Sequence, residues 1–436
     1  MVFWKKLLRT CNAQGPIAHS TEDMNLSFLP SPPFELSYPL LFGALLVAGM
    51  LGGELARVAR LPRILGYVLV GFLIGPLVQA AHLRPLIEEA RIFVDLALGL
   101  VLFDLGRRLD VRWMRRDWTL PVTGLAESLL SFFAVFGVLV ALDFRPVQGG
   151  LAAALAMTAS PAVLLLVVHD TRAEGQVTER ALNLVALNGL LASILTTIML
   201  GSAHYEARME METAVLHPLY LFLGSLALGG TMALLARFIA RTVEKDREVH
   251  FSLIAGLVVA AVGLASLLKL PVILALLAFG LFARNDQRGY DLLNVNLAPV
   301  GRLLYIVLFV ITGASLPLGL LAESLGVALA IVGARAVGKA AGVFAVAPLG
   351  GLRVQQSGGL ALALMPMSSL PLLMLHDIVR VFPQFGQALT AAFLSAVVLM
   401  EIAGPLAVQY GLRIAGESLP QLDATFVGIR PFKARA

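Results

Sequence analysis

Thirteen apolar stretches divide this chain, and two thirds of its basic residues fall in every second gap between them or in the C-terminal tail. The stretches cover approximately 36–58, 61–80, 90–106, 118–141, 149–168, 180–201, 215–236, 250–268, 271–283, 303–321, 323–349, 357–377 and 387–411. The odd-numbered gaps and the C-terminal tail hold 22 of the Lys and Arg residues, among them Arg57, Arg60, Arg63, the run from Arg107 to Arg116, Arg237, Arg241 and Arg413. The N-terminus and the even-numbered gaps hold nine, and two more, Arg335 and Lys339, lie inside a stretch. Cytoplasmic loops of membrane proteins are enriched in Lys and Arg. The pattern therefore predicts an all-α membrane protein of about 13 transmembrane helices in the inner (cytoplasmic) membrane. An odd number of crossings places the N-terminus outside and the C-terminus in the cytoplasm.

Hydrophobic residues make up 58% of the chain and charged residues 14%, far from the average for a soluble domain. Most stretches reach the roughly 20 residues that a helix needs to cross a hydrocarbon core; 90–106 and 271–283 are short. The net charge of +5 belongs to the predicted cytoplasmic loops and so implies no nucleic-acid partner. Membrane lipid is the expected surrounding. The single cysteine, Cys11, allows neither an internal disulfide nor a thiolate metal site. The seven histidines have no ligand spacing, so neither a metal nor a cofactor is expected. No cluster suggests an enzyme.

The organisation expected is a polar, proline-bearing segment 1–35, a transmembrane domain 36–412 and a cytoplasmic tail 413–436. Segment 1–35 lacks the run of a signal peptide, since Arg9, Asn12 and Gln14 follow Leu7 and Leu8 closely. The tail is too short for a regulatory domain.

The two halves of the domain resemble each other. Leu61-Pro62-Arg63-Ile64-Leu65 recurs as Leu270-Pro271-Val272-Ile273-Leu274, and Gly71 and Gly280 share the offset of 209. Val101-Leu102-Phe103 recurs as Val307-Leu308-Phe309, and Gly106 and Leu109 match Gly313 and Leu316 at an offset of 207. This makes 36–201 one repeat, 215–240 a linker helix and 250–411 a second repeat. The shift is seven stretches, an odd number, so matching stretches cross in opposite senses. Inverted-topology repeats are a design of secondary transporters, whose solute sits where interrupted helices meet near the midplane. A receptor or a membrane enzyme needs no such symmetry.

Each repeat carries one proline break at membrane depth. The fifth stretch contains Thr158-Ala159-Ser160-Pro161, and the twelfth contains Met365-Pro366-Met367-Ser368-Ser369. Irregular backbone at this depth is tolerated only beside a cavity or other protein. A proline kink patched by hydroxyls accounts for one break; a pair at equivalent depth points to two broken helices that cross. Thr158, Ser160, Met367 and Ser368 are thus candidates for an ion or solute site. Arg335 and Lys339, four residues apart, share a helix face. Lys339 is too deep to snorkel, and a charge there is costly unless it is used or paired. Arg335 is an ion-pair candidate, and Glu127 and Glu401 are the deeper acids that can compensate.

These residues resemble the monovalent cation:proton antiporter superfamily, that is, sodium/proton exchanger-like membrane domains without a regulatory domain. Leu61 to Tyr67 with Gly71, Gly75 and Pro76 is similar to their second helix, Leu98 to Asp110 to their third, and Val310 to Leu316 to their tenth. Arg335-Ala336-Val337-Gly338-Lys339 is similar to the helix carrying their core lysine. The resemblance implies a homodimer, protons and a monovalent cation (Na+ or K+) as transported partners, and a core built on crossed broken helices.

The chain departs from the family at Gly189, and Ser160 stands where some members have an aspartate. The family's ion-binding carboxylate follows an Asp or Asn in the sixth stretch. Here Asn188 fits the first position and Gly189 stands where the aspartate is expected. A glycine binds neither proton nor cation, and a charged lysine cannot coordinate a metal cation. Three readings stay open. Glu127 or Glu401 has taken over; the site takes an anion or neutral small solute, coupled to protons; or the chain is a membrane scaffold or sensor that exchanges nothing.

Overall fold

The computed structural model describes residues 38–80, 91–208, 211–243, 247–285, 298–314, 318–381 and 386–418. The expected N-terminal segment 1–35 and most of the tail lie outside them. Two compact units are present. Phe42–Ala436 holds nearly everything described, and residues 1–41 contribute only the opening turn of the first helix.

The described residues are mostly helical. In chain order they are α1 (Tyr38–Val58), α2 (Arg63–Ala80), α3 (Arg91–Arg108), the short α4 (Val111–Arg116), α5 (Thr119–Ala141), α6 (Pro146–Ala156), α7 (Pro161–Thr171) and α8 (Gln176–Arg208). Then follow α9 (Met211–Thr242), α10 (Arg247–Leu267), α11 (Val272–Asn285), α12 (Ala298–Ala314), α13 (Leu318–Val346), α14 (Val354–Ala363), α15 (Ser369–Val381) and α16 (Gln387–Ile414). Among the described residues, eight segments are long and apolar enough to cross a membrane, one being α6 and α7 end to end, and three shorter apolar helices accompany them. Large apolar side chains face outward, with Leu55 70%, Phe238 67% and Val337 69% exposed. Such exposure is unfavourable in water and natural against lipid tails. The chain is a multi-pass membrane protein.

Close crossings place glycines where the sequence halves match. Helix α2 packs on α12, and α11 packs on α3; exchanging the halves turns one pair into the other. A Cβ on Gly71 would strike the carbonyl of Val310, and one on Gly313 that of Val68. In the second pair Gly280 faces the carbonyl of Phe103, and Gly106 that of Leu277. Small residues let membrane helices approach until their backbones touch. The sequence repeat thus corresponds to a steric need met twice.

Helices α5 and α13, counterparts in the repeat, pack on each other along their length. Gly338 and Gly342 lie against the backbone of Leu130, Ser131 and Glu127. This places Lys339, between those glycines, at the level of Glu127. An acid from beyond α16 holds the start of α8. Glu417 accepts the Val177 N–H at 2.7 Å, the Thr178 N–H at 2.8 Å and the Thr178 hydroxyl at 2.8 Å. These are the unpaired donors of a helix N-terminus, and a carboxylate there suits the helix dipole.

Candidate functional site

Proline causes the first break. Pro161 disfavours helical geometry in the residue before it, and Ser160 is extended at φ −85°, ψ 111°. Helix α6 therefore ends at Ala156, residues 158–160 are non-helical, and Pro161 opens α7, a position where its missing N–H costs nothing. The Ser160 hydroxyl accepts the Val163 N–H at 3.4 Å as the cap of α7. The second break runs over 365–368, with Pro366 inside it, and α15 begins at Ser369.

The two breaks cross. The Ser160 N–H donates to the Pro366 carbonyl at 2.8 Å, and the hydroxyls of Ser160 and Ser368 hydrogen-bond to each other. Thr158 turns its hydroxyl into its own chain, donating to the Leu155 carbonyl at 2.8 Å. Met367 is fully buried beside Ser368.

Arg335 corrects the expectation of an ion pair. Its guanidinium is completely buried and donates to backbone carbonyls of both breaks. Nε reaches Ala156 O at 2.6 Å and Nη1 reaches Met365 O at 2.5 Å. Nη2 reaches Thr158 O at 2.6 Å, with Leu364 O and Pro366 O at 3.3 Å. Ala156 closes α6 and Leu364 follows α14, while Thr158, Met365 and Pro366 belong to the breaks, so none of these carbonyls has the donor that a continuous helix would supply. Each helix C-terminus carries about half a negative charge, so the two together balance one guanidinium without any carboxylate. Five donors in a planar fork suit this role.

One turn along α13, Lys339 lies with its Nζ 2.7 Å from Oε2 of Glu127, and neither side chain has any exposure. The other carboxylate oxygen, Oε1, accepts the Ser128 hydroxyl at 3.4 Å, and the same hydroxyl donates to Asn188 Oδ1 at 2.8 Å. Lys339, Glu127, Ser128 and Asn188 thus form one polar chain from α13 through α5 to α8. The amide Nδ2 of Asn188 has no hydrogen-bond partner. Gly189 is turned elsewhere: a Cβ there would meet only Leu277 Cδ1, at 3.4 Å. Position 189 therefore has room for a side chain that the sequence does not supply.

Of the two compensating acids, Glu127 reaches Lys339 and Glu401 does not. Glu401 is completely buried on α16 with no donor to either oxygen. Nearer the helix ends, Glu54 pairs with Arg57 and Arg63, and Asp104 lies near Arg107 and Arg108. Sequence reasoning missed Ser128. The available signal was its place beside Glu127 in an otherwise apolar stretch.

Residues 42–412 match the family described as "Sodium/hydrogen exchanger, transmembrane". Among solved structures, the sodium proton antiporter MjNhaP1 from Methanocaldococcus jannaschii at pH 8 is similar at a TM-score of 0.62 and 18% identity, over 90% of this chain and 97% of that one. An electron-microscopy map of the same antiporter gives a TM-score of 0.61 at 18% identity, over 91% of this chain and 100% of that one. At this identity the likeness is one of fold. Comparison with curated proteins finds no match. The family match covers most of the chain, and the fold agrees with it: this protein belongs to the transmembrane sodium/hydrogen exchanger family.

Proposed function

We propose that this protein is a monovalent cation:proton antiporter, for Na+ or K+, in which Glu127 does the work that Gly189 cannot. The observation that carries this reading is the fully buried pair of Lys339 and Glu127 at 2.7 Å, joined through Ser128 to Asn188. The pair is neutral as it stands. A metal cation arriving at Glu127 competes with the ammonium for the same oxygens. With the cation bound, the site carries one excess positive charge, at a depth where an unbalanced charge is costly. Loss of the Lys339 proton restores neutrality. When the cation leaves, the carboxylate is uncompensated until Lys339 takes up a proton again. Exchange follows because the pair cannot hold both positive charges at once. Arg335 has no part in the titration; it holds the two breaks together. Family membership supports the reading, as does the description of the similar solved structure as a sodium proton antiporter.

The same reading places the protein in the inner membrane as a homodimer, with the N-terminus outside. The distribution of Lys and Arg supports the orientation, and the family resemblance supports the dimer. The test is flux in proteoliposomes carrying an imposed pH gradient. Addition of Na+ or K+ should collapse the gradient only when the protein is present. No response to either cation would overturn the antiport reading and favour another solute or a scaffold.

A further inference from the structure

We propose that Glu401 is a second exchange site, a carboxylate neutralised in turn by a proton and by a monovalent cation, separate from the Glu127–Lys339 pair. The cation class rests on the antiport reading above; the availability of the carboxylate does not. Among the described residues the other fully buried charged side chains are committed, Lys339 and Glu127 to each other and Arg335 to carbonyls. Glu401 is equally buried and neither oxygen has a donor. A bare carboxylate at this depth is costly, so this one requires a ligand that removes its charge.

Its position can be read from the packing of α16 on α14. Gly411 lies against Gly359, and Gly404 lies against Pro366 in the second break. These two contacts run antiparallel, and Glu401 precedes Gly404 on α16 by about one helical turn. Glu401 therefore sits about one turn along α16 from the contact with the second break. The groups on neighbouring helices do not satisfy it. Helix α13 brings Arg335 and Lys339, both committed, and Glu323, whose side chain is outside those described. Helix α2 brings Arg63 and Tyr67, α7 brings His169 and Asp170, and α6 and α14 bring no titratable side chain. Helix α15 carries His376, Asp377 and Arg380, whose side chains are also outside those described. The exchange is balanced: the carboxylic acid binds one cation as its carboxylate and releases one proton, and the site is neutral before and after.

Infrared difference spectra of the purified protein, titrated with NaCl and with KCl, test this directly. The wild type should show a carboxylic-acid C=O band that falls when cation is added. The band should be missing in Glu401→Gln and present in Glu127→Gln. In weakly buffered solution, proton release on cation addition should fall about twofold in Glu401→Gln. A band and a cation response that survive Glu401→Gln would overturn the proposal. If proteoliposomes show no antiport yet the Glu401-dependent band still responds, the antiport reading fails and the site stands. If antiport is present and the band does not respond, only this proposal fails. Should Glu401→Gln not fold, Glu401→Asp keeps the acid on a shorter arm and should shift the band; an unshifted band would likewise overturn it.

Discussion

Lys339 and Glu127 form a fully buried ion pair, 2.7 Å apart, on two helices that the internal repeat makes counterparts of each other. Backbone contact at Gly338 and Gly342 brings α13 close enough to α5 for it. Removing one member of such a pair strands the other. Lys339→Ala or Glu127→Ala alone should lower stability by about 3–5 kcal/mol. Changing both to apolar residues of similar size should cost much less. Thermal unfolding of the four proteins in the same detergent checks this. Flux normalised to folded protein separates stability from mechanism. For a coupling lysine, Lys339→Ala should abolish proton coupling or change its pH profile. An unchanged normalised profile would remove Lys339 from the mechanism.

Gly189→Asp should fold. A Cβ there meets only Leu277 Cδ1, at ordinary contact distance. The new carboxylate follows Asn188 in the order the family resemblance expects. Cation-dependent proton flux in proteoliposomes should appear or increase. No gain, with the protein folded, would mean that a carboxylate at position 189 does not reach the transported cation.

Arg335→Gln should be among the most destabilising single changes in the membrane domain. Charge-assisted hydrogen bonds are worth about 1.5–3 kcal/mol each, and Arg335 makes bonds to carbonyls of both breaks. A loss above about 3 kcal/mol is expected on that basis. Arg335→Lys should not rescue it, because a point-like ammonium cannot span the same set of carbonyls. Yield of folded protein and unfolding temperature are the readouts.

The helix crossings predict a contrast among glycines. Gly71→Val and Gly280→Val should each cost at least about 1–3 kcal/mol, because each inserts carbon into a facing carbonyl. Gly263→Ala should stay within about 0.5 kcal/mol of wild type, since nothing lies within 4 Å of its Cβ position. Equal effects at all three would separate the sequence repeat from the packing.

Topology can be tested with the one native cysteine. An impermeant maleimide should label Cys11 from outside intact cells. In a Cys11→Ser background, Arg112→Cys, at an exposed position on α4, should be labelled only after permeabilisation. Labelling of position 112 from outside would reverse the orientation that the Lys and Arg pattern implies.

Much of this protein is decided along the chain. Apolar length and loop charge determine its solvent, because charged loops cannot sit in hydrocarbon and long apolar helices are unfavourable in water. Pro161 and Pro366 determine where two helices break, since a missing N–H and a steric clash act on immediate neighbours. The glycines at the matched offsets record close crossings for the same local reason. What the two buried cations and the two buried acids touch was decided only by tertiary structure. Spacing shows that Arg335 and Lys339 share a face, but not what stands opposite them. The crossing of the breaks turns Arg335 to carbonyls, and the glycine contacts of α13 on α5 set Glu127, not Glu401, against Lys339. Those outcomes depend on how far helices distant in sequence are rotated and how closely they approach, which no periodicity within one helix contains.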